Sequence, residues 1–459
     1  MPDKYDAIVI GTGQAGPSLT RRLAAEGLKT AVIERKQYGG TCVNTGCTPT
    51  KTMVASARAA YMARRGADFG VVIDGSIHVD MKKVQARKDL IVNKSTQGIE
   101  KSLKSTDNVT AFDGLGRFVG DHTVRVGEHE LEADRIFINV GARPLVPPLD
   151  GIEGVNFMTS SDIVGLDYVP EHLIIIGGSY TGLEFGQMFR RFGSKVTVVE
   201  KGPRLIARED EDVSDAVREI LENEGIEIRL DAECISTEQH GENIRVGVEC
   251  ASGGKELTGT DLLIATGRRP NTEDLGVDVA GIKIDRHGYI EVDDELRTSV
   301  PNVWALGDCN GRGAFTHTAY NDFEIVSANL FDNDRRRVSD RFVTYALYVD
   351  PPLGRVGMTE SEVRAVGRPA LVAKRAMSRI ARAIEKDETQ GFMKILVDAE
   401  SKKILGASVL GVGGDEMIHL ITDVMYADAP YTVIQRAVHI HPTVSELVPT
   451  ALGELKPLE

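Results

Sequence analysis

The chain has 459 residues, of which 42% are hydrophobic, so it is long enough to form more than one buried core. Its 68 acidic residues exceed its 54 basic residues, which argues against nucleic acid or an anionic membrane surface as the main partner. We find no apolar run of the roughly 18 residues that a transmembrane helix needs, so none is expected, and residues 1–10 lack the basic and long apolar regions typical of a signal peptide. Five cysteines, an odd and sparse set, argue against a secreted disulfide scaffold, so we expect a cytoplasmic protein.

The chain begins with the pattern of a dinucleotide-binding unit: a strand, a glycine-rich turn, a helix and a second strand. A short apolar run leads directly into Gly11, Gly13 and Gly16, and the next predicted strand ends at Glu34. The glycines permit a tight turn and the close approach of a pyrophosphate, while the helix N-terminus offers free N–H groups to phosphates. Glu34 is placed to accept hydrogen bonds from a ribose.

The same unit recurs in the second third of the chain. Gly177, Gly182 and Glu200 repeat the pattern, with the same 23 positions between the first glycine and the acid. Ser179 replaces the middle glycine and leaves slightly less room for phosphate. Two such units predict two dinucleotides. Glu200 favours NADH, because a carboxylate would accept a hydrogen bond from a free 2′-hydroxyl and repel a 2′-phosphate. Basic residues that follow Glu200 in the sequence keep NADPH possible.

A pair of cysteines, Cys42 and Cys47, follows the first unit. Residues 50–65 are predicted to be helical, so Cys47 lies near a helix N-terminus, where the dipole favours a reactive thiolate. Three interpretations are open: a redox-active disulfide, a zinc site or two structural thiols. The close spacing favours the disulfide, and no second cysteine pair or local histidine cluster supplies the other ligands of zinc. No metal site is predicted.

The cysteine motif and the two nucleotide units together resemble the flavin-dependent pyridine nucleotide–disulfide oxidoreductases, which include dihydrolipoamide dehydrogenase, glutathione reductase and mercuric reductase. The resemblance covers essentially the whole chain. It implies an α/β fold with two Rossmann-like domains and a C-terminal α+β dimerisation domain. It further implies FAD in the first unit and NADH or NADPH in the second. The implied domains are an FAD-binding domain at 1–148 and 269–340, an NAD(P)-binding domain at 149–268 and an interface domain at 341–459.

The resemblance also implies residue roles. Cys47 would face the flavin as the charge-transfer thiolate, and Cys42 would attack the external substrate. Lys51 and Glu184 would pair beside the flavin ring, and Tyr180 would gate the nicotinamide pocket. Further cofactor contacts are implied at Gly40, Thr41, Gly141 and Asp308 for FAD, with Asp308 on its ribitol, and at Gly267 for NAD(P).

Near the C-terminus, His441 precedes a proline and stands five residues before Glu446. A carboxylate in that position could orient a histidine and stabilise its protonated form for general acid–base chemistry. Taken alone, the pair is more typical of a surface histidine. The resemblance instead implies that His441, supported by Glu446, protonates a leaving thiol at the cysteine pair of the other subunit, and therefore that the protein is a homodimer. His317 is expected in a loop near the flavin pocket.

The sequence indicates the branch within this family less clearly than the family itself. The stretch after the cysteine motif and Ser179 are similar to mercuric reductase-like proteins. However, the chain ends without the vicinal cysteines that pass the soft mercuric ion inward, and a histidine stands where mercuric reductases have tyrosine. We therefore expect an NADH-dependent reductase of a disulfide, or the reverse reaction as in dihydrolipoamide dehydrogenase. The alternatives are a mercuric or cupric ion reductase and, from another class, an oxidant-sensing flavoprotein.

Overall fold

The structure is a computed structural model that describes residues 1–249 and 255–459. The first part of the chain alternates strands with helices before it forms a short run of antiparallel strands. In chain order it contains β1 (Asp3–Ile10), α1 (Gly16–Ala25), β2 (Thr30–Glu34), α2 (Gly40–Asn44), α3 (Cys47–Arg64), α4 (Met81–Lys104), β3 (Val109–Asp113), β4 (Arg117–Phe118), β5 (Thr123–Val126), β6 (His129–Ile138) and β7 (Ala142–Pro144).

The second part repeats the strand–turn–helix–strand pattern. Its strands His172–Ile176 and Lys195–Val199 stand on either side of the second glycine turn and its helix, as the repeated pattern predicts. In chain order it contains β8 (Met158–Thr159), β9 (His172–Ile176), α5 (Tyr180–Phe192), β10 (Lys195–Val199), α6 (Glu211–Asn223), β11 (Glu227–Arg229), β12 (Glu233–His240), β13 (Asn243–Glu249), β14 (Glu256–Gly259), β15 (Asp261–Ile264) and β16 (Arg268–Pro270).

The chain then returns to the first unit through β17 (Val303–Ala305) and α7 (Thr316–Ser327). The first sheet has the order β3-β2-β1-β6-β5-β4, with β17 also paired to β6. Strand β1 is parallel to both of its neighbours, β2 and β6, and β17 is parallel to β6. The carboxyl ends of these four strands therefore lie at the same edge of the sheet. Open α/β sheets bind ligands at such an edge.

The second unit is a parallel five-stranded sheet with the order β11-β10-β9-β15-β8. All five residues of β9 are buried, which is expected for a parallel strand covered on both faces. A separate antiparallel sheet, β12-β13-β14, packs on this unit, and the short pair β7–β16 links the two nucleotide units. The predicted pair of Rossmann-like units is confirmed.

The last part is an antiparallel six-stranded sheet with helices against it, as the predicted α+β character requires. Its strand order is β18-β19-β22-β21-β20-β23. No described helix combines the length and apolar character needed to cross a lipid bilayer. The elements are β18 (Thr344–Leu347), β19 (Leu353–Gly357), α8 (Glu360–Ala365), β20 (Ala370–Ala376), α9 (Ala381–Glu385), β21 (Phe392–Asp398), β22 (Ile404–Leu410), α10 (Gly414–Tyr426), α11 (Thr432–Arg436), α12 (Val448–Leu452) and β23 (Lys456–Pro457).

Candidate active site

A deep cleft of about 1250 Å³ opens where the first sheet, the second unit and the C-terminal sheet meet. Its walls carry most of the residues that the sequence singles out, together with Tyr345 of β18 and polar residues of α10. The predicted site residues that line it are Gly11, Gly13, Glu34, Gly40, Thr41, Cys42, Cys47, Lys51, Gly141, Tyr180, Glu184 and Asp308.

The two glycine turns bring a helix against a strand too closely for any side chain. A Cβ atom at Gly16 would lie 2.2 Å from the carbonyl oxygen of Gly11. At the equivalent place in the second unit, a Cβ atom at Gly182 would lie 2.0 Å from the carbonyl oxygen of Gly177. Both turns therefore require glycine for helix–strand packing, and both leave a helix N-terminus at the carboxyl edge of a parallel sheet.

The acid that closes each unit is fixed by its own turn. Glu34 is 9% exposed, and its carboxylate accepts the backbone N–H of Thr12 at 3.0 Å and the Thr12 hydroxyl at 2.6 Å. Glu200 accepts the N–H groups of Gly178 at 2.6 Å and Gly202 at 2.8 Å. Each carboxylate is thus held in one orientation beside its glycine turn before any ribose is bound.

The polar lining of the first unit fits an FAD molecule. Within the described residues, Nδ2 of Asn139 is buried without a hydrogen-bond partner, next to the first glycine turn. Asp308 lies at the inner wall with its carboxylate 3.4 Å from Nε of Arg268, and burial raises the pKa of Asp308 although Arg268 opposes this. An unused donor at Asn139, an oriented carboxylate at Glu34 and a long cleft are features that suit an extended dinucleotide.

The two cysteines lie on consecutive helices. Cys42 is in α2, and Cys47 is the first residue of α3, slightly earlier than the predicted helix start. Both are free thiols in this structure. A hydrogen bond from Cys42 lowers the pKa of Cys47 to about 6, with further lowering by the Thr316 hydroxyl and by Lys51. The hydrogen bond to Cys47, together with burial, raises the pKa of Cys42.

Lys51 and Glu184 form a close ion pair between α3 and α5. Nζ of Lys51 lies 2.6 Å from Oε2 of Glu184, whose side chain is only 7% exposed. The other oxygen of Glu184 accepts the N–H of Tyr348 at 2.9 Å. Burial opposes the charge on Lys51, but Glu184 outweighs it and raises the pKa of Lys51. A fixed ammonium group therefore stands one helical turn from Cys47.

Tyr180 is the first residue of α5 and lies at the cleft wall beside Glu184. Its ring makes edge contacts with Phe315, at 6.1 Å between centroids, and with Tyr345, at 5.3 Å. Burial raises the pKa of Tyr180 to about 12, so the phenol is neutral near pH 7. Gly267, predicted to contact NAD(P), lies just beyond β15 of the same unit.

His441 is paired with Glu446 but lies outside the lining of the cleft. Its Nδ1 lies 3.0 and 3.1 Å from the two carboxylate oxygens of Glu446, and its side chain is 75% exposed. Val438 and Ile440 nearby are also exposed, at 101% and 79%. This chain alone therefore does not bring His441 to the cysteines. In the part of the chain that is described, no three His, Cys, Asp or Glu side chains are grouped to hold a metal ion.

Some residues of the cleft were missed or misplaced by sequence analysis. The loop predicted at His317 is wrong, since His317 is the second residue of α7 and its Nε2 lies 2.6 Å from the Thr344 carbonyl. Thr316 and Tyr348, which contact the cysteine and the ion pair, carry no local sequence signal. Asn139 does carry one, because it is a polar residue at the carboxyl end of a parallel strand.

Profiles of known protein families match nearly all of this chain. The profile of the pyridine nucleotide-disulphide oxidoreductases matches residues 5–322, and the profile of their dimerisation domain matches residues 343–452. The chain belongs to the pyridine nucleotide-disulfide oxidoreductases. Proteins of this family depend on FAD and bind NAD(P), so the resemblance predicted from the motifs is confirmed.

Full-length relatives place the chain among enzymes of this family. The chain is 37% identical over 97% of its length to the probable pyridine nucleotide-disulfide oxidoreductase RclA of Escherichia coli, covering 98% of that protein. It is 33% identical over 96% of its length to the dihydrolipoyl dehydrogenase of Thermus scotoductus, covering 95% of it. A solved structure, the Cu(II) complex of the HOCl-induced flavoprotein disulfide reductase RclA from Escherichia coli, superposes with a TM-score of 0.89 at 35% identity, covering 98% of this chain and 99% of that one.

Proposed function

We propose that the protein is an NADH-dependent disulfide reductase that uses FAD and the Cys42–Cys47 pair. One observation carries the proposal: a thiol of lowered pKa, Cys47, lies in the same cleft as the first nucleotide turn and the Lys51–Glu184 ion pair. A thiolate is the reactive form of cysteine, and perturbed pKa values in a cleft are typical of functional sites. The enzyme class follows from the family, and the substrate and the residue roles are our proposal.

The cofactors are assigned to the two units by their carboxylates. FAD would lie along the first turn at Gly11, Gly13 and Gly16, with Glu34 on its ribose and Asp308 on its ribitol. NADH would lie on the second turn, with Glu200 accepting hydrogen bonds from the adenosine ribose. Because Glu200 is fixed by two backbone N–H groups, a 2′-phosphate would meet an oriented negative charge. This supports NADH over NADPH.

The residues of the cleft would act in a set order. When bound, FAD carries an electron pair from the nicotinamide to the cysteine disulfide. Lys51 holds a positive charge beside Cys47 and stabilises its thiolate. The partner subunit's His441 takes the proton of Cys42, whose pKa is raised, and the resulting Cys42 thiolate attacks one sulfur of the substrate disulfide, forming a mixed disulfide and releasing the other sulfur as a thiolate. The Cys47 thiolate then attacks Cys42, restoring the Cys42–Cys47 disulfide and releasing the second substrate sulfur as a thiolate, which takes a proton from solvent.

The departing thiolate needs a proton, and we assign this step to the partner subunit's His441. Glu446 holds Nδ1 of the ring, which leaves Nε2 pointing outward to donate. The exposed apolar residues Val438 and Ile440 on the same segment are suited to burial against a second copy of the chain. The dimerisation-domain match supports this homodimer.

Reduction of a metal ion is the second candidate. It is favoured by the likeness to RclA, whose solved structure is described as a Cu(II) complex. A metal ion that takes electrons from the cysteines has no sulfur leaving group, so it does not need His441. Turnover with Cu²⁺ or Hg²⁺ that survives His441→Ala would therefore favour this function over disulfide reduction.

The decisive test is steady-state oxidation of NADH and NADPH against a panel of acceptors. The panel contains lipoamide, glutathione disulfide, other small disulfides, Cu²⁺ and Hg²⁺. We expect rapid NADH turnover with one disulfide and its loss in Cys42→Ser. Slow turnover with every acceptor, while oxidants still form the Cys42–Cys47 bond, would instead indicate an oxidant-sensing flavoprotein.

A further inference from the structure

A row of polar side chains crosses five of the six strands of the C-terminal sheet. Strand pairing sets these residues directly opposite one another, and paired residues of neighbouring strands point to the same face. Three of them, Arg355, Lys394 and Ser408, are 1% exposed. From β18 to β20 the row consists of Tyr345, Arg355, Ser408, Lys394 and Lys374.

This row packs against an acidic segment of the second nucleotide unit. The segment consists of Glu209 and Asp210, which precede α6, and Asp212 in its first turn. The Tyr345 hydroxyl donates to Oε1 of Glu209 at 2.6 Å, and Nη1 of Arg355 lies 3.6 Å from Oε2. Further along the row, Nζ of Lys394 lies 2.9 Å from Asp210. The C-terminal sheet and the NAD(P)-binding unit are therefore joined by buried charged contacts.

Tyr345 also contacts aromatic residues that line the cleft. Its ring lies 5.3 Å from that of Tyr180 at an angle of 83°, and it stacks on Phe315 at 5.5 Å and 19°. Phe315 in turn meets the edge of Tyr180. Tyr180 is thus braced by two aromatic rings, and one of them is tied by its hydroxyl to Glu209.

Stability alone gives a weak reason for this arrangement. Glu209 and Arg355 are an almost fully buried ion pair, and pairs of this kind rarely stabilise a fold more than apolar residues would. Among the described residues, Oε2 of Glu209 and both Nη atoms of Arg355 are buried without a hydrogen bond. Such a cluster is costly to bury, but it fixes the orientation of Tyr345.

We propose that Tyr345, anchored by Glu209 and Arg355, is a positioning residue that holds Tyr180 as one wall of the nicotinamide site. The inference rests on the proposed function, because it assumes that NADH binds beside Tyr180. The contact between Tyr345 and Glu209 then determines how the nicotinamide ring is placed. It affects the reduction of the flavin by NADH and leaves the reactions of the cysteines unchanged. In this role Tyr345 acts through its ring contact with Tyr180.

Tyr345→Phe tests the proposal, since it removes only the hydroxyl and keeps the ring that fills the space. We expect the flavin-loaded variant to bind NAD⁺ about fivefold more weakly in calorimetry, a factor that one hydrogen bond commonly supplies. ADP-ribose, which lacks the nicotinamide, should bind equally to variant and wild type. In rapid mixing, flavin reduction by NADH should slow while reoxidation by the disulfide is unchanged.

Lys374→Met is the matched control. Lys374 is the last residue of the same row, on β20. Its Nζ lies 2.6 Å from Oδ2 of Asp212, and its side chain is 43% exposed. Its loss removes an exposed ion pair but leaves the Tyr345–Glu209 hydrogen bond in place, so NAD⁺ binding should be unchanged. Unchanged or tighter NAD⁺ binding in Tyr345→Phe, or equal weakening of NAD⁺ and ADP-ribose, would overturn the positioning role. A wild-type protein that neither NADH nor NADPH reduces would instead overturn the proposed function itself.

Discussion

The hydroxyl of Thr316 offers a direct test of how the protein stabilises its thiolate. Oγ1 of Thr316 lies 3.2 Å from Sγ of Cys47 and donates to it when the thiol is ionised. A hydrogen bond to a charged acceptor contributes about 1.5–3 kcal/mol. Because Cys47 opens to the cleft, we take the low end, which corresponds to about one pH unit in a pKa.

Thr316→Val keeps the shape of the side chain and removes the donor. The measurement is the long-wavelength absorbance of the two-electron-reduced flavoprotein, which a thiolate against oxidised flavin produces, followed from pH 8 downward. Since the thiolate exists only above its pKa, the band should fade as pH drops through about 6 in the wild type. In the variant we expect it to fade about one pH unit higher.

The matched control for this titration is Thr344→Val. Thr344 also lines the cleft, but its hydroxyl donates to the carbonyl of Phe342 at 3.3 Å. This variant should therefore titrate like the wild type. A midpoint that is unchanged in Thr316→Val, or one that moves equally in both variants, would refute the assigned donor.

Three further predictions concern the proposed roles. The same absorbance band should vanish in Cys47→Ser and persist in Cys42→Ser, and a band that survives in Cys47→Ser would mean that the cysteine roles are reversed. Glu200→Ala should reduce kcat/KM for NADH more than for NADPH, and equal loss would contradict the ribose contact. His441→Ala should slow disulfide turnover while flavin reduction by NADH stays near normal in stopped-flow measurements, and loss of both would make His441 structural.

The nucleotide units could be predicted because their signals are local. Each unit combines an apolar strand, glycines at fixed spacing and an acid at the next strand end, all within a few tens of residues. The strand that precedes Gly177 could be recognised because it is a continuous apolar run after its first residue, and all five of its residues are buried. The helix at Cys47 was predicted within three residues, although its N-terminus begins at the cysteine itself.

The remaining contacts of the cleft could not be predicted because they join distant parts of the chain. Thr316 reaches Cys47 across 269 positions, and Tyr345 reaches Glu209 across 136. Neither contact follows from periodicity or spacing, since each depends on how whole units dock. Lys51 and Glu184 were paired only through the resemblance to a family, and their contact also spans 133 positions.

The geometry of the cleft explains how a protein with a net charge of −14 can serve anionic groups. Cys47, Tyr180 and Thr316 are each the first residue of a helix, and all three line the same cleft with the first glycine turn. Helix N-termini carry positive partial charge that falls off within a turn. Two of these helix ends meet at Cys47, where the Thr316 hydroxyl and the nearby ammonium of Lys51 add to the positive field, so a thiolate is stabilised there despite the net negative charge of the protein.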